Sequence, residues 1–214
     1  MGFPFVLSTP IYRLIDIFAG EMNMATPTGK AGEILDSAER QARRRGYNGF
    51  SFRDLAADVG IKSASVHYHF PTKAELGAAV AQRYTERFMA HLGDPADPEV
   101  APDALLERYV AAFRRALVRD RQMCLCGLLG AEVESLPPKV AAEVRRFFEQ
   151  NVAWLAAVLS RPNRGAPGNE PAEARALAIL ALLEGALVVA RTLKRDAVFD
   201  QIAGTVTSFA APDG

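Results

Sequence analysis

Cysteine is nearly missing from this chain. Its 214 residues include only two, Cys124 and Cys126, too few for a disulfide scaffold, so the expected compartment is a reducing cytosol. Net charge is missing as well, because 25 basic residues balance 25 acidic ones. That excludes a globally basic polyanion binder but leaves room for a local basic patch. Alternating apolar and polar runs of the strand type do not occur, and neither do internal repeats or long low-complexity tracts. The sequence has no glycine-rich phosphate loop, G-x-S-x-G elbow or H-E-x-x-H pair. His67 and His69 are two positions apart, which on a helix turns them about 200° from each other, so they cannot share a metal. Cys124 and Cys126 have the same spacing on an expected helix and do not form the C-x-x-C of zinc or redox sites. No cofactor or metal is implied, and no motif supports an enzyme.

The N-terminal FPFVLSTPIYRLIDIFA, residues 3–19, is apolar but broken by Arg13 and Asp16 and lacks a basic lead. It fits neither a secretory signal nor a membrane span. Residues 1–28 read as a flexible lead, and Met22 or Met24 is an alternative start that would make the first 21 residues non-native.

What the chain does have is helical periodicity from residue 29 onward. Ala31, Ile34, Leu35, Ala38 and Ala42 form one stripe, closed by Gly46 and Gly49. Ser51 is a natural N-cap for a helix over 52–59. A third short helix starts near Ser63 and ends before Pro71. Thr72, with Glu75 three residues on, forms a capping box for a long helix over 73–92. GDPADPE at 93–99 breaks the pattern, and helices are expected over 101–119, 121–134 and 138–160. After the proline- and glycine-rich loop at 161–171, two more are expected over 172–194 and 197–209.

The stretch DLAADVGIKSASVHYHF, residues 54–70, carries the functional signal. Ala56 is small enough for two helices to cross closely, and Gly60 tolerates the positive φ of a tight turn. Leu55, Val59, Ile61 and Val66 supply an inner face. This is the pattern of a helix-turn-helix, whose second helix enters the DNA major groove; an ordinary helical hairpin is the competing reading. The outward residues Lys62, Ser63, Ser65, His67, Tyr68 and His69 can all donate hydrogen bonds to phosphate or a base edge, and none is acidic. Arg43, Arg44, Arg45, Arg53 and Lys73 lie nearby. Lys73 opens a helix, where its charge and the free N–H groups suit a phosphate.

The stretch ILDSAERQARRRGYNGFSFRDLAADVGIKSASVHYHFPTKAELGAAV resembles the DNA-binding domain of TetR-family transcriptional repressors, and the likeness covers about residues 29–80. Gly46, Tyr47, Ser51, Ala56, Gly60, His69, Phe70 and Lys73 occupy the family's pattern. One departure is His67, where the family usually has tyrosine. The resemblance implies an all-α protein. An N-terminal three-helix helix-turn-helix DNA-binding domain, 29–75, would be joined to a C-terminal helical ligand-binding and dimerisation domain, 76–214. It further implies a cytoplasmic homodimer, nucleoid-associated when bound to a palindromic double-stranded DNA operator, and released by a small molecule. Ser51 and Lys73 would contact phosphates, and Tyr68 the backbone. Ser63, Ala64, Ser65 and His67 would face bases beside Lys62. His69 would pack against the end of the first helix, and Phe70 would be core.

The expected helix over 172–194 is apolar nearly all round, so it must be buried on opposite sides, one of them against a second subunit. Leu177, Leu180, Ala181, Gly185 and Val188, with Ile202, Val206 and Phe209 of the last helix, are the dimerisation candidates; a monomer with a greasy central helix is the alternative. Phe113, Cys124, Leu128, Phe148, Trp154 and Arg191 are candidates to line an effector pocket, weighed against plain core packing. The indole N–H of Trp154 points to a mostly apolar effector with one polar group. Arg119 and Arg121 near Cys124 raise a further option, a repressor sensing oxidants or electrophiles through Cys124 or Cys126, against two inert buried thiols. A helical small-molecule binder without DNA affinity is the reading from another class, and no membrane association is expected.

Overall fold

The computed structural model describes residues 29–161 and 171–206, so the N-terminal lead and Phe209 lie outside the described residues. Within them the chain is all-α, with no strand. Helix α1 spans Lys30–Arg45, α2 Phe52–Val59, α3 Ser63–His69 and α4 Lys73–Leu92. Helix α5 spans Pro102–Val118, α6 Leu125–Gly130, α7 Pro138–Leu159, α8 Ala172–Leu193 and α9 Asp196–Ala203.

Helices α1–α3 form an N-terminal helix-turn-helix head. The apolar stripe of α1 buries Ile34, Leu35, Ala38 and Ala42, and Leu55, Ala56 and Val66 of α2 and α3 are buried with it. Gly60 ends α2 at φ 70°, ψ 38°, the left-handed conformation the turn requires. Ser51 and Asp54 form a capping box on α2, as do Thr72 and Glu75 on α4; each cap stabilises its helix by about 1 kcal/mol. Asp58 of α2 accepts from Ser37 at 2.5 Å and from Arg40 at 2.7 Å, fixing α2 against α1.

Helix α4 leads into the C-terminal helices and packs on both α1 and α7. Glu39 of α1 lies among Arg43, Arg83 and Arg87, and Arg83 also meets Asp36 at 2.8 Å, so buried charge ties α1 to α4. Helix α8 packs against α5, α7 and α9. Arg175, Ala176, Ile179, Leu180, Leu183, Ala186, Leu187 and Ala190 make up its inward face. By length and composition α8 could cross a membrane, but packing on one side accounts for much of its apolar character.

Two expected helices differ from those observed. Helix α6 occupies six residues rather than 121–134. Arg121 adopts φ 53°, which breaks the chain after α5, and the Cys124 sulfur caps α6 by accepting from the Gly127 N–H at 3.4 Å. Helix α9 ends at Ala203, where Gly204 follows, and residues 207–209 of the expected helix lie outside the described residues.

Candidate functional site

Two regions combine exposure or orphaned polarity with a specific local structure. The first is the outer face of α3. Lys62, Ala64, His67, Tyr68 and His69 are exposed, and Ser63 and Ser65 are half-exposed. Tyr68 is 85% exposed, extreme for a large aromatic, and stands edge-on to His69 at 5.3 Å. His69 therefore faces outward beside Tyr68 rather than packing on the end of α1. His67 meets the Phe52 ring at 4.6 Å, which fixes its direction across the α2–α3 turn. Val66 alone of α3 is fully buried, so one short helix offers the rest of its surface outward.

The flanks of this ridge are more constrained than their sequence implied. The Lys73 ammonium lies 4.7 Å from the Tyr47 ring centroid and 4.6 Å from that of Phe50. Burial against those rings lowers its pKa from the ordinary 10.5. The Ser51 hydroxyl donates to Asp54 at 2.6 Å while accepting from the Asp54 N–H, so its proton is already committed. Arg43 is buried; it donates to the Met123 carbonyl at 2.7 Å and approaches Asp120 at 3.5 Å. It joins the head to the segment before α6 and is not part of a basic surface.

The second region lies where α4, α5 and α7 meet, with α6 and α8 against α7. Tyr84, Phe88, Tyr109, Phe113, Phe147, Phe148 and Trp154 form a connected ring cluster, with centroids 5.3–6.3 Å apart. Phe113, Phe148 and Trp154 of the effector candidates belong to it. Cys124 is buried beside it, and Leu128 is half-buried on α6. The Trp154 N–H is not free, because it donates to the Gly93 carbonyl at 2.8 Å. Arg191 is elsewhere: it is exposed at the end of α8 and donates to the Arg121 carbonyl at 2.7 Å.

Sequence reasoning missed Glu184. Its carboxylate is buried beneath the α6 backbone, so close to Gly127 that a Cβ there would lie 2.2 Å from Oε2. Oε1 is buried with no hydrogen-bond partner. Burial raises the carboxyl from 4.5 to about 7, and a hydrogen bond from the Cys124 thiol pulls weakly the other way. The available signal was a single acid in the apolar run ALAILALLEGALVVA. Both thiols are pushed up, chiefly by burial and then by the Glu184 charge. The cations expected to activate them do not: Arg119 is exposed, and Arg121 pairs with Asp196 at 3.2 Å. Neither cysteine has the thiolate character that an oxidant sensor needs.

Away from both regions, α8 exposes an apolar stripe. Leu177 and Val188 are each 52% exposed, and Val189 and Leu193 are exposed beside them. Ala181 and Gly185 complete the stripe, and a Cβ at Gly185 would meet nothing within 4 Å. Leu180 and Val206 lie instead in the protomer's own core, and Ile202 is half-buried.

Residues 34–80 match the family model described as bacterial regulatory proteins, tetR family. Residues 102–205 match that of the transcriptional regulator LmrA/YxaF-like C-terminal domain. A TetR transcriptional regulator from Legionella pneumophila superposes with a TM-score of 0.78 at 31% identity, covering 87% of this chain and 98% of that one. A TetR-family regulator from Agrobacterium tumefaciens gives 0.78 and 31%, covering 83% and 95%. The HTH-type transcriptional repressor KstR2 of Mycobacterium tuberculosis is 29% identical over 99 residues, 46% of each chain. The chain thus spans about half the length of that curated relative. With both halves matched and a solved regulator covered over nearly its whole length, the chain belongs to the TetR family of bacterial regulatory proteins.

Proposed function

We propose that the chain is a cytoplasmic, homodimeric, ligand-responsive transcriptional repressor that binds a palindromic operator. The observation that carries this reading is the acid-free outer face of α3, from Lys62 to His69, with Tyr68 standing almost wholly free. An aromatic left almost wholly in solvent beside a row of donors suits a groove lined by phosphates and base edges. Ser63, Ala64, Ser65 and His67 read bases, while Lys62 and Tyr68 contact the backbone. Lys73 acts as a charge held in place by two rings, and Ser51 chiefly as the cap that sets the angle of α2.

The α8 stripe of Leu177, Ala181, Gly185 and Val188 pairs with its symmetry mate, and the α9 surface beside it extends the contact. Two heads then reach successive major grooves, about 34–36 Å apart or somewhat further. A ligand in the ring-lined region favours a dimer geometry with the wrong spacing, because it binds that conformer better. That KstR2 is named a repressor favours repression over activation.

Selection of bound sequences from random double-stranded DNA tests the proposal. A palindrome with two half-sites about one helical turn apart is expected. Indifference to duplex DNA at low ionic strength, or a single protomer in solution, overturns it.

A further inference from the structure

Resting on the reading of this chain as a ligand-responsive regulator, we propose that the Glu184 carboxylate anchors the effector, and that the effector is a lipophilic amine, a protonated nitrogen on an apolar, ring-sized body. The hydrogen bonds of the region single out this group. The Tyr109 hydroxyl is used by Asn151 at 2.8 Å, and the Asn151 amide by the Phe147 carbonyl at 2.7 Å. The indole of Trp154 is used by Gly93, and the Thr85 hydroxyl by Ala81 at 2.9 Å. Among the described residues of this region only the Oε1 of Glu184 is left over.

Other buried orphan atoms belong to side chains with a role elsewhere: Arg83 pairs with Asp36 and Glu39, Arg175 donates to the Leu159 carbonyl, and Glu143 meets Arg146. Glu184 has a thiol for company and no cation. A buried acid with an unsatisfied oxygen and no counter-charge beside it is a candidate site for a cation from outside the chain.

The surroundings select the rest of the ligand. Tyr109 lies close enough to feel the Glu184 charge, and its ring stacks on Trp154 at 5.6 Å and tilts against Phe113 at 5.4 Å. Ring faces attract cations and apolar bodies alike. An anionic ligand meets only repulsion here. The two glycines of α6 fit the same purpose: Gly127 admits the carboxylate, and Gly130 admits the Phe148 ring, whose nearest atom would lie 3.2 Å from a Cβ.

The test compares three probes sharing one ring system: naphthylmethylamine as its ammonium, naphthylmethanol, and naphthoate. Calorimetry on the DNA-free dimer at about pH 8, where the carboxyl is ionised, reads the site alone. The ammonium should bind at least about tenfold tighter than the alcohol, and naphthoate weakest. Glu184→Gln should bring ammonium and alcohol to within about twofold of each other, while Glu184→Asp, which keeps the charge, should retain the preference. Far-UV circular dichroism of both variants confirms that the helices remain. Equal binding of ammonium and alcohol by the wild type overturns the proposal, as does a preference that survives Glu184→Gln. Operator anisotropy measured in parallel separates the two readings. Glu184-dependent ammonium binding that leaves operator affinity unchanged keeps the site and overturns the ligand response.

Discussion

Glu184→Gln should stabilise the protein, and only above the pH at which the unfolded carboxyl ionises. Burial holds the folded carboxyl at about 7, against an ordinary 4.5. Between those values the native group keeps its proton while the unfolded group has lost it. Stability therefore falls as pH rises through this window and is level on either side of it, at most 1.36 kcal/mol per pH unit. Across the interval from 4.5 to about 7 the wild type loses about 3 kcal/mol. Glutamine matches the shape and never ionises. Its amide adds only an offset that does not vary with pH. Urea unfolding followed by circular dichroism at fixed protomer concentration, from about pH 4 to about pH 8.5, measures the difference between the two proteins. The difference should be flat at the acid end, climb through the window, and level off about 3 kcal/mol above its acid-end value, roughly 6–12 °C in Tm for a chain of this size. Contributions common to both proteins cancel in the difference. A difference that stays constant over the whole range refutes the claim that Glu184 is held neutral by burial.

Lys73→Gln should weaken binding to all duplex sequences alike and reduce the slope of log affinity against log salt by about one, since it removes one phosphate contact; a change confined to the selected operator contradicts the role given to it. Val188→Asp places a charge on the exposed stripe of α8 and should yield monomers by sedimentation with the helical spectrum intact; an unchanged dimer moves the interface elsewhere. Cys124 and Cys126 should resist iodoacetamide in the native protein near neutral pH and react fully in denaturant, because burial raises both thiols; native alkylation that abolishes operator binding reinstates the sensor.

The head was legible in the sequence because each of its constraints is local. Ser51 with Asp54, Thr72 with Glu75, and Gly60 at its turn are decided within four residues, so spacing alone reveals them. The outer face of α8 was half legible. Its all-round apolar pattern announced two buried sides without saying which residue faced which, and Leu180 and Val206 fell on the inner side. The effector region was the least legible, because its partners meet across distant helices. Trp154 finds its acceptor 61 residues away at Gly93, and Arg43 finds Met123 80 residues away. Glu184 was hidden for the opposite reason: a lone acid in an apolar helix reads as a surface position until Gly127 is seen to roof it.

Residues 120–124 connect the two regions. On one side Arg43 of α1 donates to the Met123 carbonyl and reaches Asp120, and a little further on Glu132 accepts from the Tyr47 N–H at 2.9 Å. On the other side Cys124 lies close enough to Glu184 to feel its charge, and Arg191 of α8 donates to the Arg121 carbonyl. A group that pulls on Glu184 therefore pulls on the residue next to the one that holds α1. Arg191 offers the cleanest perturbation of this link, since it is exposed and donates to the Arg121 carbonyl of that segment. Arg191→Gln should leave stability within about 0.5 kcal/mol. It should nevertheless change the factor by which ligand lowers operator affinity, by about fivefold or a coupling of about 1 kcal/mol. Reciprocity requires the operator to change ligand affinity by the same altered factor, so titrating each in the presence of the other gives two independent readings. Agreement of both with the wild-type factor would show that the segment passes no signal through Arg191.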